Sequence, residues 1–135
     1  MGVSLTKDSI DLGIIVRDGD RAIKFYRDLL GFEYVATIPL PGGGSMHRLL
    51  CGSSVIKLVQ PGETPSGKAA PGGPFEASGT RYWTISVSNL EDIVQQCKDA
   101  GAKIVWDVRD VRPGIRVAMV EDPEGNLVEF LDNQA

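Results

Sequence analysis

The sequence predicts an α+β fold in which one β-α-β-β-β pattern is written twice. Three observations carry this expectation. Each half opens with a β-branched run, continues with an amphipathic helical segment closed by glycine, and ends in three strand-like runs. Positions recur with a shift of roughly 70 residues, pairing Val16 with Val87, Gly31 with Gly101 and Lys57 with Glu129. A Gly/Pro/Ser/Ala-rich stretch, 61–80, separates the copies and reads as a lid or linker. Two copies at this period are too few and too long for a solenoid.

In the first half, residues 9–17 (SIDLGIIVR) form a strand. Asp18-Gly19-Asp20 offers a carboxylate to cap a helix, and Ala22, Ile23, Tyr26, Leu29 and Leu30 recur at helical spacing over 20–30. Gly31 sits where a left-handed C-cap needs a residue without Cβ. Residues 32–39 read as a strand and PLPGGGS as a flexible loop with no phosphate-binding pattern. Residues 46–51 and 54–60 flank Gly52-Ser53, a hairpin signal.

The second half repeats the order. Residues 82–88 (YWTISVS) are strand-like, and Asn89 followed by Asp92 resembles a capping box. Ile93, Val94, Cys97 and Ala100 form the apolar stripe, Gly101 closes the helix, and 102–108 is a strand. Residues 115–121 and 126–131 flank DPEGN, a tight turn. The domain reading is module one at about 9–60, a linker at 61–80 and module two at about 81–132.

The 135 residues, 42% hydrophobic and 24% charged, suit one globular domain with a real core. A net charge of -4 argues against a nucleic-acid or anionic-membrane partner, either of which needs a basic face. No apolar run approaches the ~20 residues of a membrane-spanning helix, and the N-terminus lacks a signal-peptide layout. Cys51 and Cys97 lack metal-type spacing and read as reduced thiols of a cytoplasmic protein.

The segments IDLGIIVRDGDRAIKFYRDLLGF and VEDPEGNLVEFLD resemble the vicinal oxygen chelate superfamily, which includes glyoxalase I, extradiol dioxygenases and bleomycin resistance proteins. The resemblance covers 9–132. It implies two βαβββ modules whose sheets curl into a cup with helices outside. It also implies small-molecule ligands and a homodimer. Metal-dependent members place one ligand, usually His, Gln or Glu, in the first and last strand of each module. Those positions fall on Asp11, Lys57, Tyr82 and Glu129. Glu129 matches well, Asp11 is tolerable, and Lys57 and Tyr82 depart from the pattern. A protonated lysine has no lone pair, so the expectation is no metal cofactor.

Strand alternation puts Val55, Lys57 and Val59 on one face and Ile56 and Leu58 on the other. In the family register Lys57 points into the cup with Asp11 and Glu129 as counter-charges and Tyr82 as a hydrogen-bonding neighbour. The alternative is that Lys57 snorkels to solvent or forms a structural salt bridge. His47, the single histidine, shares a face with Leu49 and Cys51; facing inward it would serve as a general base, and otherwise it is a satisfied or surface residue. Cys51, Trp106, Phe75 and Arg116 are candidate substrate contacts. Arg48, Arg112 and Arg116 are rim candidates for an anionic substrate or are solvated charges.

Three functions follow. The first is a metal-independent isomerase, lyase or epimerase in which Lys57 stabilises an enolate or oxyanion while Glu129, Asp11 or His47 moves the proton. The second is a non-catalytic ligand- or drug-binding protein of the bleomycin resistance kind. The third is a divergent metal-dependent lyase or dioxygenase using Glu129, Asp11 and His47.

Overall fold

A computed structural model of the protein describes residues 2–134. They fall into two compact units, the first reaching Ser66 and the second starting at Gly67. Each is a βαβββ module around one four-stranded mixed sheet, so the α+β fold and its duplication are as the repeat predicts.

The first unit contains β1 (Asp11–Ile15), a helix, β2 (Glu33–Pro39), β3 (Gly44–Cys51) and β4 (Ser54–Pro61). The sheet order is β1-β4-β3-β2, with β1 parallel to β4 and the other pairs antiparallel. The parallel pair needs a crossover longer than a hairpin turn, and the helix supplies it. The β3–β4 hairpin turns at Gly52, whose φ of +59° is the left-handed conformation glycine adopts without strain. Leu49, Ile56 and Leu58 are fully or nearly fully buried with Ala22 and Tyr26 of the helix. Burying each such large side chain contributes about 1.5–3 kcal/mol.

The helix opens as α1 (Gly19–Ile23), where Asp18 accepts from the Arg21 amide at 3.2 Å. It then widens into a π-helical segment, Lys24–Leu29, with the Leu30 amide donating to the Phe25 carbonyl five residues back. Sequence periodicity predicts a plain α-helix over this stretch. The difference is one inserted residue: Val16 and Val87 are 71 positions apart, but Gly31 and Gly101 are 70 apart. The first copy must fit an extra residue between cap and closing glycine, and the wide turn absorbs it. Phe25 and Tyr26, adjacent in sequence, are both buried, with their rings edge to face at 4.9 Å.

The second unit contains β5 (Tyr82–Ser86), α2 (Leu90–Asp99), β6 (Ile104–Arg112), β7 (Ile115–Glu121) and β8 (Leu127–Asn133), in sheet order β5-β8-β7-β6. Leu90, Ile93, Val94 and Cys97 form the buried stripe of α2. Asn89 makes no side-chain capping bond, so the expected capping box is absent. The closing glycine does as expected: Gly101 has φ +79°, and the amides of Gly101 and Ala102 donate to the carbonyls of Lys98 and Cys97. The DPEGN turn is organised by buried Asp122, which accepts from the amides of Glu124 and Asn126 at 2.8 and 2.9 Å. β6 runs to Arg112, beyond the expected 108, and carries register shifts that let a long strand follow the twisted sheet.

No strand or helix forms between β4 and β5. Part of this segment is fastened to the second unit by Arg81, whose guanidinium donates to the carbonyls of Gly73 and Pro74 at 2.9 and 3.2 Å.

Candidate functional site

Strand register fixes which side chains share a face. In the first unit Gly13 stands beside Lys57, Lys57 opposite Arg48, and Arg48 opposite Ala36. One row thus crosses all four strands as Gly13, Lys57, Arg48, Ala36. The helix lies on the other face: a Cβ placed on Gly19 at its N-terminus would meet Gln60 Oε1 and His47 Nε2, both at 2.7 Å.

Asp11 lies on the Lys57 face, two residues before Gly13, and its Oδ2 is 3.4 Å from Lys57 Nζ. About a third of each side chain is exposed, so the ammonium is half-buried against a carboxylate. Asp11 is also held by Lys7, a partner that sequence reasoning missed. The hydrogen bond from Lys7, and secondarily that from Lys57, holds the Asp11 carboxyl below its ordinary value.

His47 pairs with Leu58 and therefore occupies the helix face, across the sheet from Lys57. Its Nδ1 is 2.7 Å from Thr37 Oγ1, which also touches the Tyr34 hydroxyl. Nearby, Gln60 Oε1 accepts from the Gly19 amide at 2.8 Å and ties β4 to the start of α1. Cys51 shares the His47 face of its strand, and burial pushes its thiol pKa up.

The second unit carries the corresponding row, Thr84, Glu129, Met119, Trp106. Glu129 is buried, and its Oε1 accepts from Thr84 Oγ1 at 2.8 Å. Tyr82, two residues earlier on β5, shares this face and is exposed. Trp106 ends the row. The Arg109 guanidinium lies 4.0 Å from its ring centroid, and the exposed Phe75 ring lies 6.0 Å away. Arg116 pairs with Asp132 on the opposite face and forms an ion pair with Glu91 of α2. Arg112 lies at the exposed end of β6.

The structure thus gathers Lys57, Asp11 and Arg48 on one face of the first unit, and Glu129, Tyr82, Trp106 and Phe75 with one face of the second. It sets His47, Cys51 and Arg116 on helix-covered faces. The hydrogen bond from Thr84 to Glu129 was not foreseen from the sequence; the repeat shift that matches Thr84 to Gly13 was the available signal.

The profile of the Glyoxalase/Bleomycin resistance protein/Dioxygenase superfamily matches residues 9–130. The chain belongs to this superfamily. Among relatives of this glyoxalase-superfamily protein, it is 30% identical over 127 residues to the lactoylglutathione lyase of Haemophilus influenzae, covering 89% of this chain and 88% of that one. It is similar to the structure of the trypanothione-dependent glyoxalase I of Leishmania major, with TM-score 0.71 and 26% identity over 91% of this chain and 84% of the other. A glyoxalase family protein from Bacillus cereus shares the fold at TM-score 0.81 and 19% identity, covering 98% and 97%.

A divalent ion needs unprotonated N, O or S donors. The first unit offers Asp11 and Lys57 at the family positions. A lysine ammonium offers no lone pair, and Asp11 already balances two cations. His47 would have to bind from the other side of the sheet. These residues do not fit a divalent ion. Among the described residues no group of three or more His, Cys, Asp or Glu comes together. Among them, too, no helix is long and apolar enough to cross a membrane.

Proposed function

We propose that this glyoxalase-superfamily protein is an enzyme that moves a proton on a small substrate with adjacent oxygens, with Lys57 supplying the positive charge that a metal supplies in relatives. The observation carrying this reading is the Lys57 ammonium, 3.4 Å from Asp11 on a sheet face at a family ligand position. In the proposed step a carboxylate takes a proton from a carbon beside a carbonyl. The C–H electron pair moves to form the enolate, and the ammonium stabilises the oxygen charge that develops. The proton then returns to carbon or oxygen, so an isomerisation or epimerisation step needs no external oxidant.

Asp11, kept ionised by Lys7 and Lys57, is the carboxylate beside Lys57 on this face and takes the proton as a weak base. In this reading it also orients Lys57. Glu129, buried and hydrogen-bonded to Thr84, and Tyr82 on its face belong to the second unit and are not used in this step. His47 takes no part. A homodimer in the cytoplasm belongs to the same proposal.

The test is deuterium wash-in from D2O at the carbon-bound protons of 2-oxobutyrate and hydroxyacetone, followed by NMR, together with an assay for lactoylglutathione lyase activity. The wild-type chain should catalyse at least one of these. Lys57→Met and Asp11→Asn should each lower the rate by about 100-fold or more, the range for loss of an oxyanion donor or an acid–base group. Unchanged rates in both variants would remove the mechanism.

A second reading, a non-catalytic binding protein, is favoured by one observation: Trp106, Phe75 and Arg109 form an aromatic and cationic platform beside Met119 and Glu129. Saturable quenching of tryptophan fluorescence by a ligand the protein does not turn over would support it.

A further inference from the structure

Arg48 and Lys57 stand directly opposite each other on β3 and β4. Like charges at a cross-strand pair repel, so this pairing destabilises the sheet by itself. Asp11 provides the carboxylate beside Lys57, but Lys7 also draws on it. The Arg48 Nε is buried and has no hydrogen-bond partner among the described residues. A buried guanidinium nitrogen is ordinarily bonded.

The row that holds the two cations ends in small residues. Gly13 and Ala36 close the row at its ends, and a Cβ built on Gly13 would meet nothing within 4 Å. The next row on this face is apolar: Ile15, Val59, Met46 and Ile38. Ile15 and Ile38 are exposed. Two cations side by side, bordered by an apolar strip, suit an anion with a hydrocarbon body.

We propose that Arg48 and Lys57 bind the carboxylate of a small substrate whose apolar part lies along Ile15, Val59, Met46 and Ile38. Because Lys7 shares Asp11, the carboxylate leaves Arg48 and Lys57 with positive charge that an anion offsets. The guanidinium fork matches a planar carboxylate. This deepens the proposed function, because Lys57 serves both, but it is tested by binding and not by turnover.

The experiment is an NMR titration of the full chain with isobutyrate, following the Arg48 Nε–Hε resonance, with isobutylamine and inorganic phosphate as comparison probes. Isobutyrate should shift that resonance saturably, and isobutylamine should not. Arg48→Met and Lys57→Met should weaken isobutyrate binding at least 10-fold, and Arg48→Lys should recover part of the loss. Should Arg48→Met fail to fold, the wild-type titration and Arg48→Lys decide. An unshifted Arg48 resonance, or equal affinity in the folded variants, would overturn the site. Tighter binding of phosphate than isobutyrate would overturn the carboxylate assignment. Isobutyrate binding combined with undiminished turnover in Lys57→Met would leave this site standing and remove the mechanism instead.

Discussion

Thr84 donates to Glu129 across adjacent parallel strands at 2.8 Å, at the row position that Gly13 and Lys57 hold in the other copy of the repeat. The duplication has thus diverged into a cationic row with open space beside it and an acidic row with a built-in donor. Glu129 is buried, so its carboxylate depends on that hydroxyl. Thr84→Val keeps the side-chain shape and removes the donor. It should cost about 1–3 kcal/mol, read as a lower midpoint with unchanged slope in urea. Thr84→Ser should recover most of the loss.

Gly44 opens β3 with φ +89°, and a Cβ there would lie 2.3 Å from the Gln60 carbonyl oxygen and 2.5 Å from the Gly62 amide nitrogen. Both obstacles are backbone and cannot swing aside. Gly44→Ala should therefore cost at least about 2 kcal/mol, combining the left-handed penalty with overpacking. Gly67→Ala, where a Cβ would meet nothing within 4 Å, is the control and should leave the thermal midpoint nearly unchanged.

Burial pushes the Cys97 thiol up to about 11, above the ordinary thiol value near 8.5. A group whose folded pKa is raised contributes stability that is intact below the unfolded pKa and is lost as pH rises through the folded one. Stability should therefore fall between about pH 8.5 and 11, and Cys97→Ala should flatten that limb while lowering stability at neutral pH. Under native conditions, thiol-reagent kinetics should show Cys51 reacting before Cys97, which is fully buried.

Asp11 moves the other way. Lys7 and Lys57 hold its pKa down, so the stabilisation from these contacts is present above the unfolded carboxyl value of about 4 and is lost as pH falls through the folded one. Lys7→Met should raise the Asp11 pKa in a carboxyl-carbon NMR titration. A larger rise in Lys57→Met than in Lys7→Met would reverse the assigned order of the two partners.

Much of this was legible in the sequence because the fold is a repeat. The shift between copies carries the strand order, the closing glycines and the match of Lys57 to Glu129. Even the π-helical turn was foreshadowed by a shift that drops by one between Val16 and Gly31. The face of His47 was also within reach. A two-residue turn at Gly52-Ser53 pairs Cys51 with Ser54, and counting outward sets Arg48 against Lys57 and His47 against Leu58. Since Leu58 belongs to the core, His47 had to lie under the helix. Lys7, Thr84 as a donor, and Arg81 on the linker carbonyls were not legible. Each depends on side-chain reach from irregular or distant segments, which periodicity does not encode.

Whether a side-chain cation has taken the metal's place is decided by elemental analysis of the purified chain after dialysis, run beside the deuterium wash-in assay. Zinc, nickel, manganese and iron should all be well below one equivalent, and exchange should survive chelation while failing in Lys57→Met. One tightly held equivalent of any of these metals, with activity that follows its removal and return, would contradict the electrostatic role of Lys57.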